Sequence, residues 1–231
     1  MILGFDTATP DTAVAVADRG EPVFEGSAGP GADGRPAAAR ELLVMIEEAV
    51  AAAGGWNRIA TIAVGRGPGS FTGLRIAIST ARALSQARGI PVAGVDSTAA
   101  LAAGLRERDG GRTVVGVIDA RRGEVFAAVD RGDGPGEPVV CTPDELGAAL
   151  GGGLEGALAG GDGAVRFRAE IEASGCVVLD DEDRANRLSA RQICLLAANM
   201  GPGSAHHPAG VTPKYMRRPD AERWLERIDG S

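Results

Sequence analysis

Residues 2–17 read ILGFDTATPDTAVAVA, and residues 113–129 read TVVGVIDARRGEVFAAV. Each stretch opens with an apolar run that stops at an aspartate, Asp6 or Asp119. Each turns within a few residues and resumes as a second apolar strand. Short apolar runs bounded by turn residues are the pattern of buried strands. Outward from residue 17, a third short strand is expected at 22–25 and a loop at 29–36. Pro36 then opens a helix that stops at Gly54-Gly55. A strand follows at 59–64, a helix from about 73 to 88, a strand at 91–95, and a helix at 97–108 capped by Ser97. After residue 129 the order repeats. Strands fall at 137–141, 157–159 and 176–179, with helices at 142–150, from 164 to 173, and at 188–200. Both halves run strand-strand-strand-helix-strand-helix-strand-helix. A duplicated βββαβαβα order predicts an α/β fold of two lobes, the plan of the actin-like, sugar-kinase and heat-shock ATPase superfold. The expected segments are 1–110, 111–200 and a tail at 201–231 with an amphipathic helix around 221–228.

The composition agrees with a packed chain. Of 231 residues, 44% are hydrophobic and only 3% aromatic, so the core is built from Ala, Val, Leu and Ile. Small residues in that number let elements approach closely. The net charge is −7, and Lys214 is the one lysine among 24 basic residues. A protein that grips phosphates across its whole surface needs a basic footprint, and this balance supplies none. No apolar run approaches the roughly 18 residues of a membrane span. The opening MILGFDTATP has no basic segment before Asp6, so a signal peptide is not expected and the chain reads as cytoplasmic. Cys141, Cys176 and Cys194 are scattered and odd in number, which fits small buried thiols in a reducing compartment.

The strongest local feature is residues 65–75, GRGPGSFTGLR, between a strand and a helix. Glycines permit positive φ and close backbone approach, and a helix N-terminus offers free N–H groups. Asp6, Gly67, Gly69, Ser70 and Gly73 are therefore candidates for a vestigial phosphate site. The stretch is not a P-loop, because no Lys-Ser/Thr pair follows its last glycine. It is not a dinucleotide fingerprint either, since the spacing is wrong and no acidic residue sits suitably downstream. It serves equally as a phosphate cradle or as a tight connection. No convincing second phosphate loop exists beyond Gly160–Gly163, which favours a connection with a positive φ at Gly69. Asp6 and Asp119 could each orient a metal or a water, or each simply close an Asx turn.

The first helix has two apolar stripes. One is Leu43, Ile46, Val50 and Ala53; the other is Leu42, Met45, Ala49 and Ala52. One stripe suffices to cover a sheet. The expectation is that the first faces the sheet and the second faces another chain. The next helix adds a polar row, Arg75, Ser79 and Arg82, so two helices side by side would supply half of a four-helix contact.

These residues resemble the TsaB (YeaZ) family. The resemblance rests on IATIAVGRGPGSFTGLRIAISTARA at 59–83, with the opening stretch, LLVMIEEAVAAAG at 42–54, IPVAGVDSTAALA at 90–102, VIDARRGEVFAAV at 117–129, GGDGA at 160–164 and the PKYMR tail at 213–217. It is dense over residues 1–130 and thin beyond. It implies a non-catalytic subunit of the machinery that forms N6-threonylcarbamoyladenosine beside the anticodon of tRNAs reading A-starting codons. The implied partners are a catalytic paralogue, TsaD, and a small ATPase, TsaE. Transfer RNA would be met only through the complex, and a homodimer is the other association. TsaD binds its metal through an H-x-x-x-H pair after a V-N dipeptide. Ser97 and Leu101 stand at the matching places here, so no catalytic residue and no metal ligand carries over. No cofactor is implied beyond weak nucleotide binding. The His-Ser pair that the family often carries just before the first helix's Leu-Leu is Ala38-Ala39 here. The alternative reading is a free-standing phosphotransferase or ATPase using Asp6, Asp119 and the 65–73 loop.

Histidine is scarce. The only two, His206 and His207, are adjacent in a Pro/Gly-rich loop, and neighbours in sequence rarely converge on one ion. The purified chain is therefore expected to retain no stoichiometric iron or zinc after dialysis. Elemental analysis that finds about one equivalent of tightly held zinc or iron would overturn that expectation.

Overall fold

Valine and alanine alternate from Thr12 to Ala17, and that period of two sorts the first sheet into a large-residue face and a small-residue face. A computed structural model describes residues 1–32, 34–200 and 207–216. Strands β1 (Ile2–Asp6), β2 (Thr12–Asp18), β3 (Glu21–Ala28), β4 (Thr61–Gly65) and β5 (Val92–Val95) form one sheet in the order β3-β2-β1-β4-β5. The first three pair antiparallel, and β4 and β5 join β1 in parallel. Strands β6 (Val114–Arg121), β7 (Glu124–Asp130), β8 (Val139–Cys141), β9 (Leu158–Gly160) and β10 (Val177–Val178) repeat that order as β8-β7-β6-β9-β10. The duplicated α/β plan of the actin-like superfold is thus present in both sheets.

Helices α1 (Ala38–Ala52) and α2 (Phe71–Arg88) cover the large-residue face of the first sheet. Leu3, Phe5, Val14, Val16, Ile62 and Val64 meet them there. In the second half the outer helices are short. A 3-10 turn leads into α4 (Leu146–Ala149), and the helix expected to reach residue 173 breaks at Phe167 into α5 (Asp162–Arg166) and α6 (Arg168–Ala173). Residues 221–228 lie outside the described residues.

The other two helices are exchanged between the halves. Helix α3 (Ser97–Arg108) follows the first sheet in sequence but packs on the second, where Leu105 and Ala102 meet Val114 and Leu158. Helix α7 (Ala190–Asn199) follows the second sheet but packs on the first, with Ala190 and Cys194 against Ala13, Ala15 and Ala17. Each crossing helix is admitted by a glycine in a central strand. A Cβ at Gly4 would sit 2.6 Å from the Cys194 sulfur, and one at Gly116 would sit 2.9 Å from the Thr98 carbonyl oxygen. The alanine face of β2 is small because a helix lies directly on it.

Helix α1 corrects the expected split of its stripes. Leu42, Met45 and Ala49 are buried in the first core beside Ile46 and Val50, so they are not available to a partner. Leu43, expected on the sheet, is 59% exposed, and Val44 is 51% exposed. The physical reason is the width of the contact. A helix on a sheet buries an arc of about 100° or more, and that arc takes the inner members of both stripes. Ala52 is exposed, as are Arg75 and Ser79 on α2. Arg82 is turned inward onto the carbonyl oxygens of Pro208 and Val211, at 3.1 and 2.7 Å.

Gly116→Ala is expected to lower stability by about 2 kcal/mol or more, because the new methyl meets helix backbone that cannot yield. Ala49→Asp should cost several kcal/mol on the order expected for an unpaired buried carboxylate. Gly110→Ala, where the nearest atom to a Cβ is 3.8 Å away, should stay within about 0.5 kcal/mol. Urea unfolding of the three variants checks the ranking.

Candidate functional site

A cleft of about 550 Å³ opens between the lobes. Its first-lobe wall is the β1–β2 turn with the start of α2, and its second-lobe wall is the β6–β7 turn with the start of α5. Both sequence-expected aspartates stand at the ends of these turns, as the duplicated order requires.

Asp6 lies behind the cleft wall rather than in it. It is 2% exposed. One carboxylate oxygen accepts the Ala8 amide at 2.5 Å, which makes the Asx turn. The other accepts the Ser97 hydroxyl at 2.6 Å. Gly65 closes the remaining side, since a Cβ there would lie 1.7 Å from Asp6 Oδ2. Burial pushes the Asp6 pKa up to about 6, against the lowering pull of Ser97 and the Ala8 amide. Ser97 was expected to cap α3. It does not, because its hydroxyl is turned toward Asp6, and Asp96 takes the N-cap position without a side-chain cap bond.

The glycine-rich loop is filled by the chain itself. Ser70 N–H donates to the Ala8 carbonyl at 2.7 Å, and the Thr7 hydroxyl donates to the Gly73 carbonyl at 2.7 Å. A Cβ at Gly73 would be 1.9 Å from Thr7 O, and one at Gly69 would be 2.5 Å from Ala8 O. These glycines give room to the Thr7–Ala8 backbone. The reason for Gly69 is therefore close approach and not a positive φ; the residue with positive φ is Gly67, at 100°. Ser70 caps α2 by accepting the Gly73 amide at 3.3 Å. The structure brings Asp6, Gly67, Gly69, Ser70 and Gly73 together, but around a turn of protein.

Asp119 does line the cleft. It accepts the Arg121 amide at 2.7 Å, and Arg121 and Arg166 reach its carboxylate at 3.1 and 2.8 Å. Asp162 accepts the Asp119 amide at 3.0 Å, and burial raises its carboxyl above the usual range. With two guanidinium partners on Asp119, this wall is neutralised internally. Asp162 and Arg166 were not singled out from the sequence. The signal was the Gly161-Asp162-Gly163 turn directly after a strand. Lys214, Tyr215 and Met216 also line the cleft, and the isolation of Lys214 as the one lysine was the cue for them. Among the described residues no group of three His, Cys, Asp or Glu side chains is placed to hold a metal ion. His207 caps a short turn with Nδ1 accepting the Ala209 amide; His206 lies outside the described residues. All three cysteines are buried. In the acidic run at 180–183, Asp181 pairs with Arg168 and Asp183 with Arg108.

Residues 36–137 match the family model described as TsaD: tRNA N6-adenosine threonylcarbamoyltransferase. The tRNA threonylcarbamoyladenosine biosynthesis protein TsaB of Haemophilus influenzae is 34% identical over 54% of this chain and 51% of its own length. The chain thus spans about half, or less, of the length of the TsaB relatives it matches. An uncharacterized protein of Mycobacterium bovis is 33% identical over 96% of this chain and 93% of its own. Among solved structures, YeaZ from Pseudomonas aeruginosa is similar with a TM-score of 0.73 and 26% identity, covering 93% of this chain and 99% of that one. A ROK hexokinase from Thermus thermophilus shares the fold alone, with a TM-score of 0.50 and 15% identity over 87% of this chain and 99% of its own.

Asp6 sets a pH dependence. Its folded pKa, about 6, is above the value of 3.8 for a free carboxyl, so between pH 4 and 6 the folded state binds more protons than the unfolded state. Stability then falls as pH rises through that window. Asp6→Asn removes the titration. Wild type should lose on the order of 3 kcal/mol relative to Asp6→Asn between about pH 3.5 and 7. Parallel urea titrations that show a constant difference across this range would refute the assignment.

Proposed function

The chain belongs to the TsaB (YeaZ) family, and on that premise we propose that it serves the formation of N6-threonylcarbamoyladenosine in tRNA as a non-catalytic subunit. The observation that carries the non-catalytic role is the setting of Ser97 and Leu101. These are the places where the resemblance puts the two metal-binding histidines of the catalytic paralogue. Ser97 is fully buried, donating to Asp6 and accepting the Gly67 amide at 3.2 Å. Leu101 is 2% exposed in an apolar cluster with Ile118 and Phe126. Neither side chain suits a transition metal, and neither faces an open site. The family's catalysis would then come from a TsaD-type partner, with a TsaE-type ATPase completing the assembly in the cytoplasm. Transfer RNA would bind through the complex, since a chain with a net charge of −7 attracts polyphosphate weakly at physiological salt.

The partner surface is the outer side of α1 and α2. Leu43 and Val44 are large apolar side chains exposed on consecutive positions of α1, with exposed Ala51 and Ala52 about two turns on. Arg75 and Ser79 extend the surface onto α2, which packs beside α1. Small residues beside large ones let a foreign helix approach closely. A second copy of this chain would compete for the same surface.

The double variant Leu43→Asp, Val44→Asp is expected to melt within about 2 °C of wild type, because both positions are solvent-facing. It should lose co-elution with the TsaD-type subunit, a drop of about a hundredfold or more in affinity. Product formed from threonylcarbamoyl-adenylate and tRNA by the single purified chain would overturn the non-catalytic role. Tight Mg-ATP binding by that chain in isothermal titration would favour a free-standing phosphotransferase instead.

A further inference from the structure

Between Glu48 and Asp96 the chain has no acidic residue, and five arginines fall there: Arg58, Arg66, Arg75, Arg82 and Arg88. This basic block sits inside a chain whose net charge is −7. Three of the five have partners. Arg66 pairs with Asp96 at 2.6 Å, and Arg82 donates to the Pro208 and Val211 carbonyl oxygens. Arg75 lies 4.0 Å from the Phe71 ring centre and donates to the Tyr215 hydroxyl. Arg58 and Arg88 differ. Both are exposed, and among the described residues neither guanidinium has a carboxylate or carbonyl oxygen as partner.

The fold brings these two to one pole of the first lobe. Helix α2 begins at the cleft with Phe71 and runs about 25 Å to Arg88 in its last turn. Gly54 and Gly55, at φ of 86° and 105°, turn the chain out of α1 toward that end. Trp56 then packs, half-buried, on the first core and lies under Arg88, whose guanidinium carbon is 4.9 Å from the ring centre. Arg58 belongs to the same short turn and folds its stem toward Gly54, where a Cβ would lie 3.9 Å from Arg58 Cγ. A guanidinium stacked on a ring uses its face and keeps its in-plane N–H groups for acceptors. Trp56 therefore steadies Arg88 as a fork with open donors. The end of α2 alone favours a positive charge in its last turn, but that needs neither an aromatic support nor a second arginine.

Planar forks with open N–H groups, on a stretch without carboxylates, match phosphodiester oxygens. Resting on the tRNA-modification reading, we infer that Arg58 and Arg88, with Trp56 beneath, hold the sugar-phosphate backbone of the tRNA while the partner subunit holds the nucleotide to be modified. Exposed Ala51 and Ala52 at the end of α1 lead directly into this turn. An RNA seated on the partner thus reaches the patch across the edge of the proposed interface. Such contacts position the RNA and read no sequence. Two of them add to affinity inside a complex without making an acidic chain a tight binder alone.

Fluorescence anisotropy of unmodified tRNA with the full chain, from low to physiological salt, tests the patch. Arg58→Gln with Arg88→Gln is expected to weaken binding at low salt at least about tenfold and to flatten the slope of log affinity against log salt by about 1.5. Both positions are solvent-facing, so melting and co-elution with the TsaD-type subunit should match wild type. Arg108→Gln with Arg112→Gln removes the same charge from guanidinium groups paired with Asp183 and Asp109, and should keep most of the slope. Equal losses in the two pairs, or no tRNA binding by wild type at low salt, overturn the patch. In the assembled complex, Arg58→Gln with Arg88→Gln should raise KM for tRNA about tenfold at unchanged kcat, and an unchanged KM overturns the inference as well. A wild-type complex that forms no product strikes the tRNA-modification reading instead, and the anisotropy comparison still decides the patch.

Discussion

A single buried carboxylate holds three separate segments of this chain in register. Asp6 ends β1, receives the amide of its own turn from Ala8, and receives the hydroxyl of Ser97 from the start of α3. Ser97 in turn exchanges hydrogen bonds with Gly67, its amide donating to the Gly67 carbonyl and its hydroxyl oxygen accepting from the Gly67 amide. The central strand of the first sheet, the glycine-rich loop and the helix that crosses to the second sheet therefore meet at one point. A buried polar group of this kind costs stability unless every lone pair is used. Here two donors and the close approach of Gly65 leave the carboxylate no freedom. Burial raises its pKa, against the lowering pull of both hydrogen bonds.

The same junction explains why hardware suited to phosphate does not form an open cradle. Glycines that could admit a ligand admit the backbone of Thr7 and Ala8 instead, at approaches no side chain would tolerate. On the second lobe, Asp119 keeps the equivalent turn but is paired with Arg121 and Arg166. The cleft of the superfold persists as a shape, while its polar groups are spent on one another.

Much of this was legible in the sequence. The apolar runs ending at Asp6 and Asp119 gave the duplicated sheets, and the Asx turns at both were among the readings those residues allowed. Alternation of Val and Ala from Thr12 to Ala17 marked a strand, though not that its small face was reserved for a helix from the far end of the chain. What failed did so for identifiable reasons. Stripes of four residues on α1 were too narrow a description, because burial takes an arc that draws Leu42, Met45 and Ala49 inward with Ile46 and Val50. Ser97 looked like a cap because its partner, Asp6, lies 91 residues away, beyond any local rule. Asp162 and Arg166 gained meaning only when β9 brought them beside Asp119.

The exchange of α3 and α7 has a consequence for how the chain emerges during synthesis. When residues 1–110 have left the ribosome, the first sheet has its outer helices but not the helix that covers Ala13, Ala15 and Ala17. That face stays bare until residues 190–199 are made. Helix α3, meanwhile, waits with its apolar side uncovered for the strands of the second sheet. Neither half is a finished folding unit, so the molecule closes late and as a whole. A chain stopped between the halves would present a wet alanine face and a helix whose Leu101 and Leu105 lack their cover.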